Sequence, residues 1–266
     1  MIIRHDLELV FVHVPKCAGK QLRWIFKQGA KRNEIEELWN YGHSKILNRY
    51  VDLAHLPLSD LRTYPQFKYL NRYKVVACIR DPYMRLPSAA NEFYRQKSKQ
   101  DEKMVINGKL TINEKMKYYK RLKEKHNELD PRFIHSLPIH RFTHYGDKAK
   151  VDYLLRCETL GRDIRSLATE KGWPLAIQKG IESKFKAFEN TKGKFALTNE
   201  EIEIAEEIYK VDFETFDYPR RRKTITSQEI ELCDAGQINH IHDCNAVVWH
   251  WGPVAERSKQ QLKQHR

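Results

Sequence analysis

The chain has 266 residues, enough for one well-filled core and too few for two domains of equal size. Hydrophobic residues make up 41% and charged residues 31%, with 13 Tyr and 11 Phe, a composition that excludes a disordered chain. Lys and Arg (48) outnumber Asp and Glu (35) for a net charge of +13, so the molecular field draws in anions, and charge alone does not choose among nucleotides, acidic glycans, nucleic acid and anionic lipid.

The first predicted element is the apolar, β-branched run Leu9, Val10, Phe11, Val12, His13, Val14, the pattern of a strand buried on both faces of a parallel sheet. Pro15 to Gly19 break it, and Leu22, Ile25 and Phe26 at i, i+3, i+4 start a helix at Lys20. A second strand-loop-helix unit follows at residues 73–79, with Arg80-Asp81-Pro82 as the loop and Leu86, Ala90, Phe93 and Tyr94 on one helix face. Asp81 before Pro82 fits an N-cap followed by proline at the first helical position. Two such units predict an α/β fold with a doubly wound parallel sheet, in which both loops open onto one crevice at the carboxyl ends of the strands.

Residues 96–130, rich in Lys and Glu, are expected to be an exposed helical insertion or lid with a solvated charged face. A third strand is expected at residues 151–155, and Thr198 with Glu201 makes a capping box before Ile202, Ala205, Ile208 and Tyr209, a late helix ending near residues 209–213. Residues 220–266 read as a basic linker, Arg220-Arg221-Arg222-Lys223, and an accessory segment with a possible short strand at residues 246–249. Cys17, Cys78, Cys157, Cys233 and Cys244 are odd in number and scattered, which points to a reducing compartment. No stretch reaches the length of a transmembrane helix and no signal-peptide pattern opens the chain, so a soluble, cytoplasmic protein is expected, with a Golgi lumen only for a chain whose anchor has been removed.

The loop His13-Val14-Pro15-Lys16-Cys17-Ala18-Gly19-Lys20-Gln21 offers backbone amides and a helix N-terminus to a phosphate. It is not GxxxxGK[ST]: Val14 stands where that motif needs glycine, and Gln21 where it needs the magnesium-binding hydroxyl. The loop resembles instead the 5′-phosphosulfate-binding loop of sulfotransferases that use 3′-phosphoadenosine-5′-phosphosulfate (PAPS), and Arg80-Asp81-Pro82-Tyr83-Met84-Arg85-Leu86-Pro87-Ser88 resembles their 3′-phosphate-binding motif. The nearest resemblance is to the family 2 carbohydrate sulfotransferases that modify heparan and chondroitin and to their bacterial counterparts, over residues 9–218. It implies a P-loop-NTPase-like sulfotransferase fold in residues 1–219.

By that resemblance Lys16 would meet the 5′-phosphate and the bridging oxygen of the leaving group, the amides of Cys17, Ala18, Gly19, Lys20 and Gln21 would surround the phosphate, and Arg80 with Ser88 would hold the 3′-phosphate. Lys20 and Gln21 replace residues that usually carry hydroxyls, for which the charge of Lys20 is one compensation, and Pro87 is unusual inside a helix. The acceptor hydroxyl needs a base that titrates near neutrality, and His55 in Val51-Asp52-Leu53-Ala54-His55-Leu56-Pro57 resembles the catalytic histidine of the heparan-modifying enzymes.

Asp81 and Arg85 read as structural, Tyr118 and Tyr119 as a half-buried helix face, and His135, His140 and His144 as secondary candidates for substrate contact. Cys233, His240, His242, Cys244 and His250 match no usual zinc spacing, and no metal is expected. The implied activity is sulfuryl transfer from PAPS to a hydroxyl, on an acceptor expected to be a carbohydrate, acidic ones included, without a nucleic-acid partner. Two alternatives stay open at this point: a catalytically inactive basic protein that binds glycan or nucleotide, and a nucleotide kinase of related layout.

Overall fold

A computed structural model of the chain describes residues 1–100, 110–124, 133–185 and 197–221, the side chains of 96–100 and 123–124 excepted. Strand β1 (Ile2–Arg4) turns through His5–Leu7 into β2 (Leu9–Val12), pairing Ile2 with Phe11 and Arg4 with Leu9 in an antiparallel hairpin. Helix α1 (Gly19–Phe26) follows, then β3 (Ile35–Glu37), which lies antiparallel on β1. A separate hairpin, β4 (Tyr41–Ser44) and β5 (Arg49–Asp52), leads to the short helix α2 (Leu58–Leu61). Next come β6 (Lys74–Ile79), α3 (Pro82–Gln100), α4 (Ile112–Glu124), α5 (His140–Thr143) and the small hairpin β7 (His144–Tyr145) and β8 (Lys148–Ala149). The described chain closes with β9 (Tyr153–Arg156), α6 (Leu160–Glu170), α7 (Leu175–Phe185), α8 (Asn199–Ile208) and α9 (Lys210–Phe216).

The central sheet has the order β3-β1-β2-β6-β9 and is flanked by helices. Strands β2, β6 and β9 run parallel, as the unbroken apolar runs of β2 and β6 predict for those two. The sheet is mixed rather than wholly parallel, because Ile2 and Ile3 need burial and a short turn suffices for an antiparallel partner, whereas a parallel one requires a long crossover. Val12 pairs with Ala77 and Ile79 with Arg156, so the loops that leave β2, β6 and β9 emerge at one edge. That alignment positions the site.

Helix α1 buries Leu22, Ile25 and Phe26 completely, about 1.5–3 kcal/mol for each side chain, and Phe26 stacks on Phe11 at 5.1 Å. Asp81 caps α3, its carboxylate accepting the Tyr83 amide at 2.8 Å, and Pro82 opens the helix as expected. Pro87 lies inside α3, in its second turn. The Thr198–Glu201 capping box is present, with Glu201 N–H donating to Thr198 Oγ1 at 3.2 Å, and the late helix stops at Ile208 before the separate α9.

The insertion is only partly a solvated face. Lys117, Lys120 and Arg121 of α4 are exposed, but Tyr118, Tyr119 and Leu122 are buried, Tyr118 against Phe93 and Phe133 and Tyr119 with its hydroxyl on Glu201. Residues 101–109 and 125–130 of the insertion lie outside the described residues, as do residues 222–266, with the rest of the basic run, the tail cysteines and histidines and the expected strand at 246–249.

Candidate active site

Beyond β2 the backbone enters the left-handed region twice without glycine, at Lys16 (φ 63°) and Ala18 (φ 55°). Each such residue costs about 1–2 kcal/mol, strain that clusters at ligand clamps. Ala18 is the N-cap of α1 and offers no side-chain acceptor. Among the described residues the N–H groups of Cys17, Ala18, Gly19 and Lys20 have no partner, so these donors and the positive end of α1 are available to an anion. The Gln21 N–H is turned back to the Ala18 carbonyl at 3.1 Å, which removes one of the five amides expected to meet a phosphate.

Gly19 is required for space rather than for backbone freedom. A Cβ there would sit 1.7 Å from Nε2 and 1.8 Å from Cδ2 of His13. The imidazole that follows β2 is therefore pressed against the first turn of α1.

Arg80 follows β6 directly, and its Nη1 donates to the Lys16 carbonyl at 3.3 Å. The two expected phosphate-binding elements thus meet in the fold. Lys16 Nζ donates to Glu92 Oε2 at 3.1 Å, and Glu92 also accepts from Arg95 Nε at 3.1 Å. Burial lowers the Lys16 pKa and the Glu92 carboxylate only partly restores it, while Arg95 and Lys16 overcome burial and hold Glu92 well below the usual carboxylate range. Ser88 is half-buried on α3 one turn before Glu92, and its hydroxyl has no hydrogen bond among the described residues.

Arg85 is fully buried and structural: it donates to the carbonyls of Pro15 (3.1 Å) and Leu137 (2.6 Å), with its guanidinium over the Tyr209 ring. It ties the strained loop to the body of the protein.

His55 closes the turn Leu53–His55 after β5, a turn that Asp52 caps by accepting the Ala54 amide at 3.0 Å. His55 Nδ1 lies 2.9 Å from the His13 carbonyl oxygen, so it must carry the proton, which leaves Nε2 as the lone-pair nitrogen. Asp52 Oδ2 is 4.0 Å from that Nε2. The His55 ring packs at 4.2 Å from His13 and 5.2 Å from His135. Burial lowers the pKa of all three; in His55 Asp52 partly offsets it, and His135 also feels the charges of His55, Glu92 and Lys16.

Of the histidines considered as secondary candidates, only His135 joins this cluster. His140 and His144 stack on each other at 4.2 Å, with His144 next to Phe216. The Cys17 thiol is buried and turned to Cys157, which in turn lies 3.6 Å from Cys78, so Cys17 can serve an anion only through its amide. Lys20 is exposed at the rim. Sequence reasoning gave His13, Asp52 and Glu92 no role of their own and offered His135 only as a secondary candidate. Three carry local signals: His13 lies inside the quoted loop, Asp52 precedes His55 by three residues, and Glu92 follows Ser88 by four. His135 stood as one of three candidate histidines, and only the tertiary fold singles it out by bringing it to His55.

Surface depressions of about 330 and 410 Å³, lined by Leu7, Glu8 and Lys74 among others, lie at the amino ends of β2 and β6, the end of the sheet away from this cluster. Among the described residues no helix is long and apolar enough to cross a membrane.

No curated protein and no solved structure matches the chain. The model of the sulfotransferase family, family 2, matches residues 1–219, the span that holds the loop after β2, Arg80 and His55, and the chain belongs to that family.

Proposed function

We propose that this sulfotransferase moves the sulfuryl group of PAPS to a hydroxyl of a carbohydrate acceptor. The observation that carries the reading is the Arg80 guanidinium on the Lys16 carbonyl, which joins the two anion-binding elements at the mouth of α1 beside a histidine whose base nitrogen is defined. A nucleotide with phosphates at its 5′ and 3′ positions fits two separated cationic elements; a 5′-triphosphate needs one long cradle and a magnesium ligand, for which Gln21 offers nothing. The net charge of +13 favours an acidic polysaccharide among carbohydrate acceptors.

In this reading the unpartnered amides of Ala18, Gly19 and Lys20 bind the 5′-phosphate, and Arg80 and Ser88 the 3′-phosphate. Lys16 exchanges Glu92 for the donor and meets the negative charge that grows on the leaving oxygen, a contribution on the order of 100- to 1,000-fold for one preorganised group. His55 Nε2 takes the acceptor proton. Its lowered pKa keeps it neutral at pH 7, and Asp52 stabilises the imidazolium once formed. The sulfuryl group carries less charge than a phosphoryl group, so the transfer as written calls for no metal.

The test is a thermal-shift comparison of adenosine 3′,5′-bisphosphate with ATP and magnesium, followed by transfer of ³⁵S from labelled PAPS to a glycan panel. Stabilisation by the bisphosphate without metal, together with a labelled glycan, is the expected result. A response to ATP and magnesium alone would support a kinase, and donor binding without labelled product an inactive binder.

A further inference from the structure

The histidine cluster has a second chemical capacity that sulfuryl transfer does not use. Asp52, His55 and His135 each present one ligand atom within 4.8 Å of the others. The His55 Nδ1 contact with the His13 carbonyl directs the Nε2 lone pair toward the Asp52 side, the backbone-anchored arrangement by which metal-binding imidazoles are oriented. His135 adds an independent sign: its ring is buried and its Nδ1 has no hydrogen-bond partner, although a buried polar atom left unpaired costs about 1–3 kcal/mol. A cation bound by that nitrogen would remove the cost.

We propose that Asp52, His55 and His135 form a binding site for one zinc-type divalent cation, and that its occupation takes the His55 lone pair away from the acceptor. Two imidazoles and one carboxylate are a borderline donor set suited to zinc and its neighbours rather than to calcium or magnesium. Ligands about 2.0–2.2 Å from a tetrahedral ion are about 3.3 Å apart, so the 4.0 Å between His55 Nε2 and Asp52 Oδ2 has to close by well under an ångström. The adjacent Lys16 ammonium opposes a cation, but Glu92 partners that ammonium and also acts on His135. Asp52 and Lys16 are both partly exposed, which leaves a route in. Binding needs no donor or acceptor, so the site stands apart from the proposed reaction; only the inhibitory consequence rests on it.

The experiment uses the full chain after metal removal. It is titrated with Co²⁺, whose visible absorption reports tetrahedral coordination, with Zn²⁺ as competitor. His135→Ala and Asp52→Asn are titrated in parallel, and urea unfolding checks that each folds. The tail cysteines and histidines could hold metal of their own, so the reading is the difference between chains. The wild type should bind one more equivalent than His135→Ala, and Asp52→Asn should bind it at least about tenfold more weakly. Asp52 is partly exposed, so its variant remains informative if His135→Ala fails to fold. Equal stoichiometry and affinity in wild type and variants, or no Co²⁺ binding by the wild type, would overturn the site. Zinc should also suppress sulfate transfer reversibly on chelation. Metal binding by a chain that transfers no sulfate would leave the site standing and remove the functional reading instead.

Discussion

Gly19→Ala separates this structure from a propensity argument, because the two predict opposite signs. At the start of a helix the change should stabilise by about 0.4–1 kcal/mol through the unfolded chain. Here the new methyl would lie 1.7 Å from His13 Nε2, so the ring must retreat by about 1.7 Å to regain ordinary contact. It has little room: His55 is 4.2 Å away, Phe11 5.9 Å and Trp39, in parallel, 6.1 Å. Overpacking of this kind costs about 1–3 kcal/mol, a melting temperature lower by about 2–12 °C in a protein of this size. The His13 carbonyl anchors His55, so the base moves as well, and a 1 Å displacement can cost about 100-fold in turnover. Scanning calorimetry and initial-rate kinetics measure both effects. In His13→Ala/Gly19→Ala the clash is gone while the carbonyl remains, and the double variant should be more stable than Gly19→Ala by about 1 kcal/mol or more. An unchanged or raised melting temperature for Gly19→Ala would refute the contact.

His55→Ala should lower kcat by about 100- to 10,000-fold while affinity for adenosine 3′,5′-bisphosphate, measured by calorimetry, stays the same; ordinary turnover would remove the base assignment. Arg80→Ala should weaken that affinity by about 2 kcal/mol or more, roughly 30-fold, and an unaltered dissociation constant would exclude the 3′-phosphate role. Arg85→Met should cost about 2–6 kcal/mol in urea unfolding because it leaves the carbonyls of Pro15 and Leu137 unpaired, about 1–3 kcal/mol each; a loss below about 1 kcal/mol would show the tether to be dispensable. His13, His55, His135, His140 and His144 all have folded pKa values below the usual 6.5. The unfolded chain therefore binds more protons in acid, and stability that is full above about pH 6.5 should fall as pH drops below it. Asp212, pushed up to about 6 by burial, and Asp81, also raised by burial, work in the opposite direction, but five histidines outnumber two carboxyls. Equal urea midpoints at pH 7.5 and 5.5 would contradict the burial of these rings.

The parallel core was legible because Leu9, Val10, Phe11 and Val12, and later Val75, Val76, Ala77 and Cys78, have to be buried on both faces, a demand written in consecutive residues. The first strand was not, since three residues carry too little pattern to announce a partner. Helices α6 and α7 were also missed, although Leu160, Ile164, Leu167 and Ala168 hold helical spacing in α6. In the site, Lys16, Arg80 and His55 lie within short local motifs and could be found one by one. Glu92 and His135 reach the same cluster from α3 and from a turn 80 residues beyond His55, and no periodicity encodes such a meeting. The contact of Gly19 with His13 was equally hidden, because a glycine in a loop signals backbone freedom before it signals close approach.

The account rests most directly on a crystal structure with adenosine 3′,5′-bisphosphate bound. It predicts density for a single nucleotide across the crevice, the 5′-phosphate against Lys16 and the amides at the start of α1 and the 3′-phosphate against Arg80 and Ser88. Density that contacts only one of these elements, or that lies at the amino end of the sheet, would contradict it.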